Sequence, residues 1–245
     1  MADGDAKIDR LLERHGQTYC DELGIDIANN TPSVLFRCLV AAILYSARIS
    51  ADKATQAARA LSEAGLTTAD KMAAASWQDR VDVLSANGYK RFDESYSRNL
   101  GDTAAALRDD YGGGLRNLRK AAGEDPGDMR RRLKAFKGLG DAGVDIFFRE
   151  VQVAWPEVAP FADRKALKTA ESLRLPAQAP TVGWRSRFAD RSVVGSRTFF
   201  LNFRALWALR QGPGALPGTR LQERSHAKPN VKAYGVRLGT AARNR

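Results

Sequence analysis

One segment constrains the fold of this chain more than any other: Leu133-Lys134-Ala135-Phe136-Lys137-Gly138-Leu139-Gly140-Asp141-Ala142-Gly143-Val144. It reads as two helices joined by a tight Gly-x-Gly turn, a hairpin over about residues 133–151. Asp163, in Pro160-Phe161-Ala162-Asp163, follows twenty-three residues beyond Gly140 and stands at the start of the next predicted helix. A glycine turn of this kind brings backbone N–H groups and a helix N-terminus to the surface, where they suit an anion such as a phosphate. A carboxylate at a helix start has two readings, an N-cap and a reactive group, and one side chain can serve as both.

The rest of the chain is patterned for helices. Val34 to Ala47 is apolar on nearly every side, with Leu35, Phe36, Leu39, Val40, Ile43 and Leu44, so it is expected to be the central buried helix. Ile8, Leu11, Leu12 and Tyr19 predict an amphipathic helix over about residues 5–22, packed with the carboxyl-terminal part of the body. Further helices are expected over Ala51–Ala64, Thr68–Ala75, Trp77–Asn87, Phe92–Tyr111, Leu115–Ala122 and Pro126–Phe136. Val144, Phe147, Phe148 and Val151 then recur at helical spacing, and a last helix runs from Asp163 to about Leu173. No alternating strand pattern competes, so the fold class is all-α.

Charge divides the chain. Residues 177–245 carry eleven Arg and two Lys against Asp190 and Glu223, so the whole formal charge of +11 lies there and residues 1–176 are net neutral. The body is therefore expected to span 1–176, with 177–245 a basic tail, either a nucleic-acid-binding extension or sequence read out of frame. Phe199–Leu209 is its only helical stretch. A DNA contact made by the neutral body must come from a local patch or a backbone nest.

With two cysteines, Cys20 and Cys38, and two histidines, His15 and His226, one chain cannot assemble a tetrahedral Cys/His zinc site or a four-cysteine cluster. No metal or cofactor is expected, and both thiols read as buried and structural. No apolar run approaches the about 20 residues of a membrane span, and Met1-Ala2-Asp3-Gly4-Asp5 lacks a secretory pattern, so a cytoplasmic, nucleoid-associated monomer is expected.

The hairpin, its spacing to Asp163, and the segment Leu44-Tyr45-Ser46-Ala47-Arg48 through Asp52-Lys53-Ala54 resemble the helix-hairpin-helix, Gly/Pro-Asp superfamily of base-excision DNA glycosylases, whose familiar member is endonuclease III. The resemblance covers about residues 30–175. It implies a two-lobed helical fold and, as partner, double-stranded DNA holding a damaged or mismatched base. It implies that Gly138, Leu139, Gly140 and Lys137 contact DNA phosphate and that Asp163 is the catalytic carboxylate. Arg48 stands where members often present a Gln to fill the gap left by the flipped base, and Tyr45 becomes a pocket residue.

Three departures sharpen that expectation. Bifunctional members carry a lysine two residues after the second hairpin glycine, and this chain has Ala142 there. Lys137 and Lys165 do not occupy that position, so base removal without efficient strand cleavage is expected. Asp141 replaces a basic residue at the helix start, and the four-cysteine cluster of endonuclease III is absent. The alternative is a non-catalytic helix-hairpin-helix DNA-binding protein. The Arg130-Arg131-Arg132 run reads as a solvated face that lies near the hairpin.

Overall fold

The computed structural model of the chain describes residues 16–172, together with Arg10. The expected tail at 177–245, including Phe199–Leu209, lies outside the described residues, as does most of the predicted first helix. Among the described residues the structure is helical, with no strand. None of these helices is long and apolar enough to cross a membrane.

The first described helix, α1 (Tyr19–Glu22), is a fresh start and not the end of a helix running from residue 5. Residues 16–18 are non-helical, and the Thr18 hydroxyl accepts from the Asp21 N–H while the Asp21 carboxylate accepts from the Thr18 N–H. This reciprocal cap begins a helix at Tyr19. A short 3-10 turn, Ile27–Asn29, leads into α2 (Pro32–Tyr45), which Thr31 caps and Pro32 opens.

The centre of the core is α2, in which Leu35, Phe36 and every residue from Cys38 to Leu44 are buried. The all-round apolar pattern has the expected meaning: α3 (Ala51–Glu63), α7 (Leu115–Ala121) and α9 (Asp141–Val151) all pack on it. A second group centres on α6 (Asp93–Tyr111), which packs against α4 (Ala69–Ala74), α5 (Trp77–Leu84) and α7. Arg80 ties this group together. Its buried guanidinium donates to the carbonyls of Met72, Ala75 and Ser97, taking up acceptors that end α4 and line α6.

The helix expected over Trp77–Asn87 stops at Leu84 and passes into a wide turn, Ser85–Tyr89, that packs on α3. Asn87 and Gly88 leave helical geometry there, and the Asn87 amide donates to the Val83 carbonyl. The local side-chain bond competes with the helix's own ladder. The Tyr89 ring is buried and its hydroxyl donates to the Leu44 carbonyl, which anchors the turn to the end of α2.

The hairpin is formed by α8 (Pro126–Lys134) and α9, joined by residues 135–140. Asp125 caps α8 through the Asp128 N–H, and Pro126 occupies its first position. The last described helix is α10 (Arg164–Ser172).

Candidate functional site

The site is organised along α9. At its start Phe136 and Leu139 turn into the core, while Lys137, Gly138 and Gly140 face solvent. Phe136 packs edge-on against Tyr111, with ring centroids 6.3 Å apart, and Leu139 is 2% exposed. Buried apolar residues thus hold the turn from inside, and the Leu139 N–H, expected to face a phosphate, donates instead to the Phe136 carbonyl at 3.2 Å.

Gly138 has φ +80°, and a Cβ there would lie 2.7 Å from the Asn99 amide nitrogen. Both the dihedral and the contact require glycine. Helix α6 supplies this support: Thr103 Oγ1 donates to the Lys137 carbonyl at 3.1 Å, and Asp102 pairs with Lys137 Nζ at 2.9 Å. Asn99, Asp102 and Thr103 fall at i, i+3 and i+4, a polar ridge on one face of the helix.

Gly140 is the N-cap of α9 and provides no side-chain bond to the first turn. A Cβ at Gly140 would meet nothing within 4 Å, so the approach to this helix N-terminus is open. Such N–H groups and the helix dipole favour an anion.

Asp141 does not leave a bare negative charge at that position, as the sequence suggested. Lys134 Nζ lies 2.8 Å and Arg130 Nη1 3.7 Å from its carboxylate, and these cations hold the Asp141 carboxyl below its usual range. Arg130 also bonds Asp145 at 2.6 Å and lies over the Phe148 ring. Arg131 and Arg132 both pair with Asp128. The arginine run is therefore committed to protein carboxylates, and only Arg131 fits the expected solvated face, because Arg130 and Arg132 are half-buried.

The turn bearing Arg48 comes close to the same end of α9. A Cβ at Gly143 would lie 3.5 Å from Ser46 Cβ, so α9 passes tightly over the end of α2. Arg48 itself is exposed. Tyr45 is half-buried and is not an open platform: Tyr19 stacks on its ring with centroids 3.8 Å apart and planes 18° apart. The Tyr45 hydroxyl pairs with Thr55 Oγ1 at 2.7 Å, and burial pushes the phenol up.

At the other end of α9 the environment is dry. Arg149, Glu150, Gln152 and Asp163 are all buried. Asp163 Oδ1 accepts from the Ala166 N–H at 2.8 Å, the N-cap bond expected for α10. Its Oδ2 lies 4.0 Å from Arg149 Nη1, and the two side chains are 8% and 9% exposed. The Arg149 guanidinium also sits over Tyr19, 5.8 Å from the ring centroid.

Gln152 clamps the loop that carries Asp163. Its amide nitrogen donates to the Arg149 and Phe161 carbonyls, and its amide oxygen accepts from the Phe161 N–H at 2.9 Å. Glu150 accepts from the Cys20 N–H at 3.0 Å, which fixes α1 to α9. Burial raises the Glu150 carboxyl, opposed by that bond and by Arg149. Cys20 and Cys38 are buried, and contact with Cys38 followed by burial pushes the Cys20 thiol up, the opposite of a reactive thiol.

The structure therefore brings the hairpin and the Arg48 turn together at the start of α9, and Asp163 with Arg149 near its end. A rise of about 1.5 Å per residue puts about 12 Å between Asp141 and Arg149 along the axis. A separate open cavity of about 320 Å³ lies beside α3 and is lined by Glu22, Asp52, Thr55, Gln56, Arg59, Ala60, Glu63 and Asn87. Asp163 has no part in it. Sequence reasoning missed Arg149, Gln152 and Tyr19. The one available signal was the Arg149-Glu150 pair inside the otherwise apolar run from Ile146 to Val151.

No protein-family model and no curated protein matches this chain.

Proposed function

We propose that the protein is a monofunctional DNA glycosylase with the two-lobed helix-hairpin-helix fold, hydrolysing the N-glycosidic bond of a damaged or mismatched base in duplex DNA. The observation that carries this reading is that a single helix, α9, has an open N-terminus capped by Gly140 at one end and the buried Arg149–Asp163 pair near the other. The first presents backbone N–H groups for a DNA phosphate, and the second holds a carboxylate where water can be excluded.

The chemistry fits a carboxylate. As the bond from the sugar to the base breaks, its electron pair leaves with the base and positive charge builds on the sugar. An ionised Asp163 stabilises that charge and orients the attacking water, whose oxygen takes the place of the base and whose released proton ends on the departed base. With Oδ1 tied to α10, Oδ2 is the oxygen left to act. Ala142 offers no amine for a Schiff base, so the strand stays intact until alkali is added.

The second reading is a helix-hairpin-helix protein that binds DNA without chemistry, and the cap bond favours it, because it gives Asp163 a complete structural task. Asp163→Asn separates the two. The enzyme reading expects base release to fall about 10²–10⁴-fold while duplex binding is kept. Binding without base release, before and after the substitution, supports the second reading.

A further inference from the structure

We infer that Arg149 is the positioning residue for Asp163, an inference that rests on the reading of Asp163 as the catalytic carboxylate. The carboxylate is hydrogen-bonded at one oxygen, and its other oxygen faces a buried charge on a different element. Oδ1 accepts the Ala166 N–H of α10 at 2.8 Å, and Oδ2 faces Arg149 Nη1 of α9 at 4.0 Å. The bond to α10 alone leaves the carboxylate free to rotate about it; the buried positive charge of Arg149 favours the orientation that turns Oδ2 toward α9.

Arg149 is itself braced. Its guanidinium lies 5.8 Å from the Tyr19 ring centroid, Tyr19 stacks on Tyr45 at 3.8 Å, and the Tyr45 hydroxyl pairs with Thr55 of α3. The Arg149 carbonyl accepts from Gln152, whose amide also grips Phe161, two residues before Asp163. The loop and the carboxylate are thus referred to the same turn of α9. A buried ion pair is a poor way to gain stability, since desolvation offsets the attraction. An arginine 8% exposed overall beside a buried aspartate is better explained by the geometry it imposes.

The experiment is single-turnover base release by the full chain, Arg149→Gln, Arg149→Lys, Asp163→Asn and the Arg149→Gln/Asp163→Asn pair, on the duplex that the parent processes best. Misplacing a reacting group by about 1 Å costs about 10²-fold, so Arg149→Gln is expected to slow release by about that factor with duplex affinity unchanged. Arg149→Lys, which keeps the charge, is expected to restore most of the rate. In the Asp163→Asn background Arg149→Gln is expected to add no further loss, because it acts through that carboxylate.

Equal losses in both backgrounds, or a loss that only follows the folded fraction in circular dichroism, would overturn the positioning role. So would an Arg149→Gln rate equal to the parent's. If Arg149→Gln fails to fold, Arg149→Lys decides: a rate no better than that of Asp163→Asn overturns the inference. No base release by the parent removes the glycosylase reading itself, an outcome distinct from all of these.

Discussion

The two ends of α9 are built on opposite principles. At its start the groups offered to a ligand are backbone N–H groups, and the surrounding charges pair at the surface: Lys137 with Asp102, Lys134 with Asp141, Arg130 with Asp145. Toward its end the groups are side chains, few in number and cut off from water: Arg149, Glu150, Gln152 and Asp163. Exposed pairs contribute little, because water screens them and ordering long side chains costs entropy. Buried polar groups are costly to disturb, since each must keep its partner. The start of α9 should therefore tolerate changes in charge but not in backbone shape, and its far end should not tolerate a lost hydrogen bond.

The largest effect on stability is expected from Glu150→Ala. It strips the buried Cys20 N–H of its acceptor and leaves that donor unsatisfied in the core. A loss of about 3 kcal/mol in urea unfolding is expected. A loss below about 1 kcal/mol would break the contrast between the ends, because it would mean that the buried cluster rearranges freely.

Next comes Gly138→Ala, at about 2 kcal/mol, because alanine is strained at φ +80° and its Cβ meets the Asn99 side chain. Asn99→Ala made in the same chain is expected to remove the closest contact, the amide at 2.7 Å, but neither the Asn99 Cβ at 3.1 Å nor the dihedral, so only part of the loss should return. Full recovery would show that packing alone, and not backbone shape, governs the turn.

A smaller effect lies in the pH dependence. The Glu150 carboxyl is raised in the folded protein from its ordinary value of 4.5, so the native state holds this proton more tightly than the unfolded chain does. Stability from this group is therefore full below about pH 4.5 and is lost as pH rises from there through the raised folded value. Glu150→Gln removes the titration. Its unfolding free energy is expected to decline less than the parent's over that rise, and an unchanged slope would place the titration elsewhere. Smallest of all, Lys137→Ala is expected to leave the unfolding midpoint where it is, while lowering the salt dependence of duplex binding by about one phosphate contact.

What the sequence revealed followed from local chemistry. The apolar run of α2, the Gly-x-Gly turn and the aspartate opening α10 each state their structure within a few residues. The restart of α1 at Tyr19 was missed, because apolar spacing carries across Gly16 and hides a reciprocal cap between Thr18 and Asp21. Asp141 looked like a charge set against phosphate until the fold brought Lys134 and Arg130 beside it. Arg149 was passed over for the same reason. Its partners are Tyr19, far earlier in the chain, and Asp163, beyond a loop, and no periodicity encodes either meeting.

The most direct measurement is base release by the full chain from duplexes carrying uracil, thymine glycol, oxidised guanine, alkylated adenine or a mismatch, each read with and without alkali. Release from at least one duplex, with strand breakage only after alkali, is the expected result and would tie the buried end of α9 to chemistry and Ala142 to the missing strand cleavage. Tight binding with no release from any duplex would contradict it and leave α9 with a DNA-binding start and a purely structural end.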